Sequence, residues 1–140
     1  MKKKIIILIL ILITVLSCVL LFRPTSIPQD AVFAGGMTFH IVQSNKKGLS
    51  NDITLSDENV EKVEEMKNIL LDIKMQRTLE EKTTIHHTEN PIVVYTNINH
   101  KTWTFIFGEE DCVYGPGILS RYKILNADEI MERIEKVMEE

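Results

Sequence analysis

The sequence predicts an α+β protein. An N-terminal transmembrane or signal helix is followed by a small, mostly antiparallel sheet in the order β-α-β-β-β-β-α, with two amphipathic helices on one of its faces. Three observations predict this. Residues 5–22 read IIILILILITVLSCVLLF, 18 positions without a charge. Two later stretches place apolar residues at helical spacing, and between them two alternating β-branched and aromatic runs flank a short polar turn.

The first element is set by length and composition. At 1.5 Å per residue, 18 helical residues span about 27 Å, close to the roughly 30 Å hydrocarbon core of a bilayer. A helix buried in a soluble core would place a polar residue on every turn, and this segment has none before Thr14. Lys2, Lys3 and Lys4 precede it, and basic flanks stay cytoplasmic, so the expected topology is a single pass with the C-terminal domain extracytoplasmic. Three fates are compatible with the segment: an uncleaved signal-anchor, a lipoprotein signal and a cleaved secretory signal. Val32-Phe33-Ala34 offers small residues for cleavage, although far beyond the apolar run. The run continues through Phe22, which favours the intact anchor.

Charge separates the anchor from the rest. Of the 16 basic residues, Lys2, Lys3, Lys4 and Arg23 fall in the first 23 positions; none of the 20 acidic ones does. The remainder holds 12 basic and 20 acidic residues, a net charge of −8. Phosphate contacts need clustered Lys and Arg, so no nucleic-acid partner is expected, and no basic patch stands out in the sequence to draw the domain onto lipid. The two cysteines, Cys18 and Cys112, lie in different parts of the molecule, so no internal disulfide is expected, and Cys112 reads as a small buried hydrophobe.

Residues 23–36 (RPTSIPQDAVFAGG) carry two prolines and a glycine pair and read as a flexible spacer. The expected organisation is thus a membrane anchor or signal over 1–22, a spacer over 23–36 and an extracytoplasmic domain over 37–140. Within the domain, 37–43 (MTFHIVQ) is the first strand, followed by a turn at 45–48 and a short extended piece over 49–55. Ser56 is the expected N-cap of a long helix from Asp57 to about Glu81, with the stripe Val60, Val63, Met66, Ile69, Leu70, Ile73 and Leu79 and a solvated charged face. A short strand is expected over 83–87.

The hairpin of 91–98 and 102–107 follows. With Asn97 opposite Thr102, the pairs Ile92–Phe107, Val94–Phe105 and Thr96–Trp103 make one apolar face. Val93–Ile106, Tyr95–Thr104 and Asn97–Thr102 make the other. A one-residue slip would mix the two sets, so the pattern selects this register. Residues 112–114 and 119–124 are further strands around Gly115-Pro116-Gly117. Asn126 with Glu129 is a capping box for a last helix bearing Ile130, Met131, Ile134, Val137 and Met138.

Chemistry-bearing patterns are sparse. His86, His87 and Glu89, with His40 and His100 in reserve, are the most ligand-like group. Adjacent strand residues point to opposite faces, however, and no H-x-x-x-H or cysteine pair is present. Glu109-Glu110-Asp111 lacks the ligand alternation of a calcium loop, and Gly115-Pro116-Gly117 lacks the Lys-Ser/Thr of a phosphate loop. No nucleophile sits in a G-x-S-x-G context. The reading is therefore no catalytic residue, no metal site and no cofactor. The residues singled out are Tyr95, Asn97, Thr102 and Thr104, which form a polar-aromatic sheet face suited to a partner.

Two resemblances add to this. Val15-Leu16-Ser17-Cys18 resembles the lipobox of bacterial lipoprotein signals, which implies lipidation at Cys18 as the alternative anchor. The domain is similar to small Gram-positive secreted or lipoprotein domains of unknown function, through its exported β-α-β-β order, Thr88-Glu89-Asn90-Pro91, and Val113 to Ile118 (VYGPGI). That resemblance implies an extracytoplasmic module and assigns no residue a role. The function expected from the sequence is a membrane-tethered, non-enzymatic module. It would use residues 5–22 to hold the membrane and bind an envelope protein or peptide partner. The alternative is a small envelope hydrolase or metal-dependent enzyme without a recognisable motif.

Overall fold

A computed structural model describes residues 2–29, 32, 37–44, 50–78, 91–98, 100–108, 111–116 and 121–139. The N-terminal helix α1 is Lys2–Leu21. Its described side chains, from Lys4 on, are exposed, and it is long and apolar enough to cross a membrane. Its one early hydroxyl is internally satisfied, because Thr14 Oγ1 donates to the Leu10 carbonyl at 2.9 Å.

Among the described residues seven strands follow: β1 Phe39–Ser44, β2 Ser50–Leu55, β3 Met75–Arg77, β4 Ile92–Ile98, β5 Lys101–Phe107, β6 Cys112–Tyr114 and β7 Arg121–Ile124. They form one sheet in the order β2-β1-β4-β5-β6-β7-β3, with every pairing antiparallel. Helices α2 (Val60–Asp72) and α3 (Ala127–Glu139) complete the domain. The α+β class and the two helices on one sheet face are as the sequence predicts.

The β4–β5 pairing reproduces the expected register at every position from Ile92–Phe107 to Asn97–Thr102 and closes with Ile98 opposite Lys101. That leaves a two-residue turn, and His100 takes the left-handed φ of 59° that such a tight turn requires. One cross-strand row, Ile53–Ile41–Val94–Phe105–Val113–Tyr122–Arg77, runs the width of the inner face. Val63, Met66, Ile69 and Leu70 of α2 and Ile130, Ile134 and Val137 of α3 pack on it in one core. Burying each such aliphatic side chain stabilises the fold by about 1.5–3 kcal/mol.

Several local expectations are corrected. The long helix ends at Asp72, not near Glu81. Ile73 turns extended (φ −63°, ψ 120°) yet stays buried, so it continues the helical stripe without being helical. Residues 75–77 instead supply a partner to β7, covering what would be an open edge. Ser56 starts a short 3-10 turn over Asp57–Asn59 and makes no side-chain cap bond, and Val60, expected in the stripe, is 62% exposed. Asn126 occupies the expected cap position, with its carbonyl accepting from Ile130, but its side chain leaves its own helix. Oδ1 accepts from Lys74 N at 2.9 Å and Nδ2 donates to Asp72 O at 3.1 Å, which satisfies an orphan carbonyl at the end of α2. Trp103, expected in the core, is half-buried at its margin, stacked near Phe105 (6.4 Å) and Tyr122 (6.5 Å). The strand expected over 83–87 lies outside the described residues, as do the turn at 45–48 and residues 119–120 of the last expected strand.

The stretch 23–36, expected as a flexible spacer, is not slack where it is described. Thr25 and Met75 exchange both backbone hydrogen bonds (2.7 and 2.8 Å), Gln76 Nε2 donates to Phe22 O at 2.7 Å, and Ile27 and Val32 are buried in the domain core. Prolines hid this strap in the sequence. Its apolar positions, Ile27 and the short run at 31–34, are too few to show a period.

Candidate functional site

The outer face of the sheet follows from the same register. Because side chains alternate along a strand, residues one step from the inner row all point away from the helices. Thr54, His40, Tyr95, Thr104, Tyr114 and Arg121 lie directly opposite one another across six strands. Beside this row lies a second, more apolar one containing Val42, Val93, Ile106 and Cys112. Above it, Asn97 and Thr102 face each other, and Thr102 Oγ1 donates to Asn97 Oδ1 at 3.0 Å.

All four residues singled out in the sequence therefore lie on this face. Tyr95 is 41% exposed and paired with Thr104, and Asn97 and Thr102 are both exposed. Sequence reasoning missed the continuation of the row. His40 lies opposite Tyr95 on its other side, with Nδ1 3.0 Å from Thr54 Oγ1, and Tyr114 lies beyond Thr104 with the Arg121 guanidinium 5.1 Å from its ring centre. The alternation of buried Phe39 and Ile41 around His40 signals that His40 points outward, but nothing local says that β1 pairs with β4.

This surface offers polar and aromatic contacts. Tyrosine offers a flat apolar ring with a polar rim, and the flanking Thr, Asn and His side chains supply both donors and acceptors. His40 and Cys112 share the face but are three strands apart, about 14 Å. Among the described residues, no group of three or more His, Cys, Asp or Glu side chains could hold a metal ion. His86, His87, Glu89, Glu109 and Glu110 lie outside the described residues. Cys112 is buried, whereas Cys18 is an exposed free thiol within α1. No protein-family model, curated protein or solved structure matches this chain.

Proposed function

We propose that the chain is a single-pass membrane-anchored module, with α1 spanning the bilayer and the lysine-flanked N-terminus in the cytoplasm. Its extracytoplasmic domain binds an envelope protein or peptide through the outer sheet face. The observation that carries this reading is the row from Thr54 to Arg121, exposed at Thr54, His40, Tyr95 and Tyr114 and half-buried at Thr104 and Arg121. It runs across six strands on the side of the sheet opposite both helices, and it contains two exposed tyrosines. Aromatic residues held on a rigid sheet cost little side-chain entropy on binding, which suits them as anchors in a contact surface. The role is non-enzymatic, that of an accessory or sensory subunit. Retention of α1 is supported by the apolar helix continuing past Cys18 to Leu21. Lipidation at Cys18 would break the chain within that helix.

The test is crosslinking in living cells with a photoreactive residue at Tyr95, Thr104 or Tyr114. A specific adduct from these positions, and none from exposed Glu132 on α3, is the expected result. Equal labelling from both faces, or no adduct from any outer-face position, would overturn the proposal.

A further inference from the structure

The strap removes nearly all slack between α1 and the sheet, and this fixes which end of the domain meets the membrane. Thr25 pairs antiparallel with Met75, so the chain running back toward α1 passes Gln76 and Arg77. The Gln76–Phe22 hydrogen bond marks the same place. The helix therefore exits off the Arg77 end of β3. Antiparallel pairing puts the start of β7 (Arg121, Tyr122), the start of β5 (Lys101, Trp103) and the end of β4 (Ile98) at that same end.

A groove of about 400 Å³ opens here, with Thr25, Ile27, Pro28, Lys101, Trp103 and Tyr122 in its walls. Arg77 lies over the Tyr122 ring at 5.6 Å and reaches its hydroxyl at 3.3 Å. Arg23 and Lys101 are exposed and make no ion pair among the described residues. The described acids at this end belong to the helix layer, at the start of α2 (Asp57, Glu58, Glu61) and the end of α3 (Glu139), since Lys62 Nζ reaches Val137 O at 3.0 Å.

Distances decide what this end meets. Each headgroup layer is roughly 5–8 Å thick, and the four steps of chain from Leu21 to Thr25 reach at most about 14 Å, with the β3 edge held closer still by the Gln76–Phe22 hydrogen bond. With Leu21 at the hydrocarbon boundary, Thr25 and the β3 edge bonded to it fall within or just above the headgroups. Tryptophan and tyrosine favour that depth, and lysine and arginine there meet lipid phosphate.

We infer that the β3–β5 end of the domain is seated on the headgroup layer of the membrane that α1 crosses, with Trp103 and Tyr122 as its interfacial aromatics and Arg23 and Lys101 as the cations that meet anionic lipid phosphates. This rests on α1 being a retained span. The partner is the lipid surface itself. The cations at this end are gathered by folding rather than by sequence.

Trp103 is the chain's only tryptophan and so reports on the groove directly. The experiment places the full chain in nanodiscs of phosphatidylcholine, alone or mixed with phosphatidylglycerol, each carrying a headgroup spin-labelled lipid that quenches at short range. The expected result is quenching of most Trp103 emission, stronger in the phosphatidylglycerol discs. Lys101→Glu should lower the ratio of seated to unseated domain about fivefold for each unit of charge changed. Unquenched Trp103 in a chain that stays with the disc through an alkaline carbonate wash would overturn this inference alone. Release of the chain by that wash would overturn the retained span and the seating with it. Quenching that is equal in both lipids and unaffected by Lys101→Glu would overturn the anionic component.

Discussion

Asn126 Oδ1 accepts the backbone N–H of Lys74 at 2.9 Å, while its Nδ2 donates to the Asp72 carbonyl at 3.1 Å. One amide side chain thus closes the end of α2, starts the turn into β3 and begins α3. The neighbouring Leu125 N–H donates to Lys74 O at 2.8 Å, and Arg133 pairs with Asp72 at 2.7 Å, so the junction is held at four points. Replacing Asn126 by Ala removes two hydrogen bonds of about 1 kcal/mol each. The predicted loss is about 1–2 kcal/mol in urea unfolding with an unchanged m-value. Asn126→Asp keeps the acceptor for Lys74 but sets a carboxylate against the Asp72 carbonyl, and it should fall no closer to wild type than Ala does. A loss under about 0.3 kcal/mol for Ala would show that the junction does not depend on this amide.

The strap gives a second prediction. Thr25→Pro abolishes the N–H that Thr25 donates to Met75 O at 2.7 Å and leaves the strap a single backbone hydrogen bond to β3, the one from Met75 N–H at 2.8 Å. Amide exchange at Met75 and Gln76 should accelerate at least tenfold, equivalent to about 1.4 kcal/mol of local opening, while amides of β4 and β5 stay protected. Uniform acceleration across the sheet would mean that the strap is part of the global unfolding unit.

Thr96 is buried on the inner face, between Phe39 and Trp103, and its hydroxyl makes no hydrogen bond among the described residues. A buried unsatisfied hydroxyl costs about 1–3 kcal/mol, and valine matches threonine in shape. Thr96→Val should therefore raise stability by about 1 kcal/mol, and Phe105→Ala in the same core should lower it by about 3–5 kcal/mol. Tyr95, between these positions in the sheet but facing outward, should tolerate Ala within about 1 kcal/mol. Thermal unfolding of the three variants checks the inside–outside assignment of the hairpin, and loss of stability in Thr96→Val would contradict it.

The hydrogen bond from Lys136 to Glu132, 2.9 Å across one turn of α3, holds the Glu132 carboxyl below its ordinary 4.5, aided by the attraction of the two charges. A depressed carboxylate contributes stability that is present above its unfolded value and lost as pH falls through its folded value. Both side chains are exposed, so the effect on unfolding is small. Carboxyl carbon NMR should give Glu132 a midpoint below 4.5, and Lys136→Met should return it towards that value. An unmoved midpoint in the variant would rule out Lys136 as the cause.

Which parts of this structure could be read in the sequence follows from how far each signal reaches. The β4–β5 register was legible because a two-residue turn and strict alternation are local constraints, and only one pairing keeps Ile92, Val94, Phe105 and Phe107 together. The same alternation gave Tyr95, Asn97, Thr102 and Thr104 as one face. β3 was hidden because Ile73 is buried whether the chain is helical or extended there, so the helical period appears to run on past Asp72. The strap was hidden because Ile27 stands singly between Ser26 and Pro28, and the apolar run at 31–34 is too short to show a period. His40 and Tyr114 were missed because their neighbours come from strands distant in sequence, and no local pattern encodes the β1–β4 pairing.

The hydrogen bond between Gln76 and Phe22 has a mechanical consequence. A domain on a flexible leash reports nothing of what its membrane helix does, since the leash absorbs every turn. Here the first residue after the helix, Phe22, is clamped to an edge strand, and the next segment is zipped to it at Thr25. Rotation or tilt of α1 is therefore transmitted as torque to the sheet, and the lever arm is the whole width of seven strands. At about 4.8 Å per strand, a 10° swing about β3 would carry β2 through roughly 5 Å. Conversely, with α1 anchored as proposed, a load placed on the outer face would turn the helix.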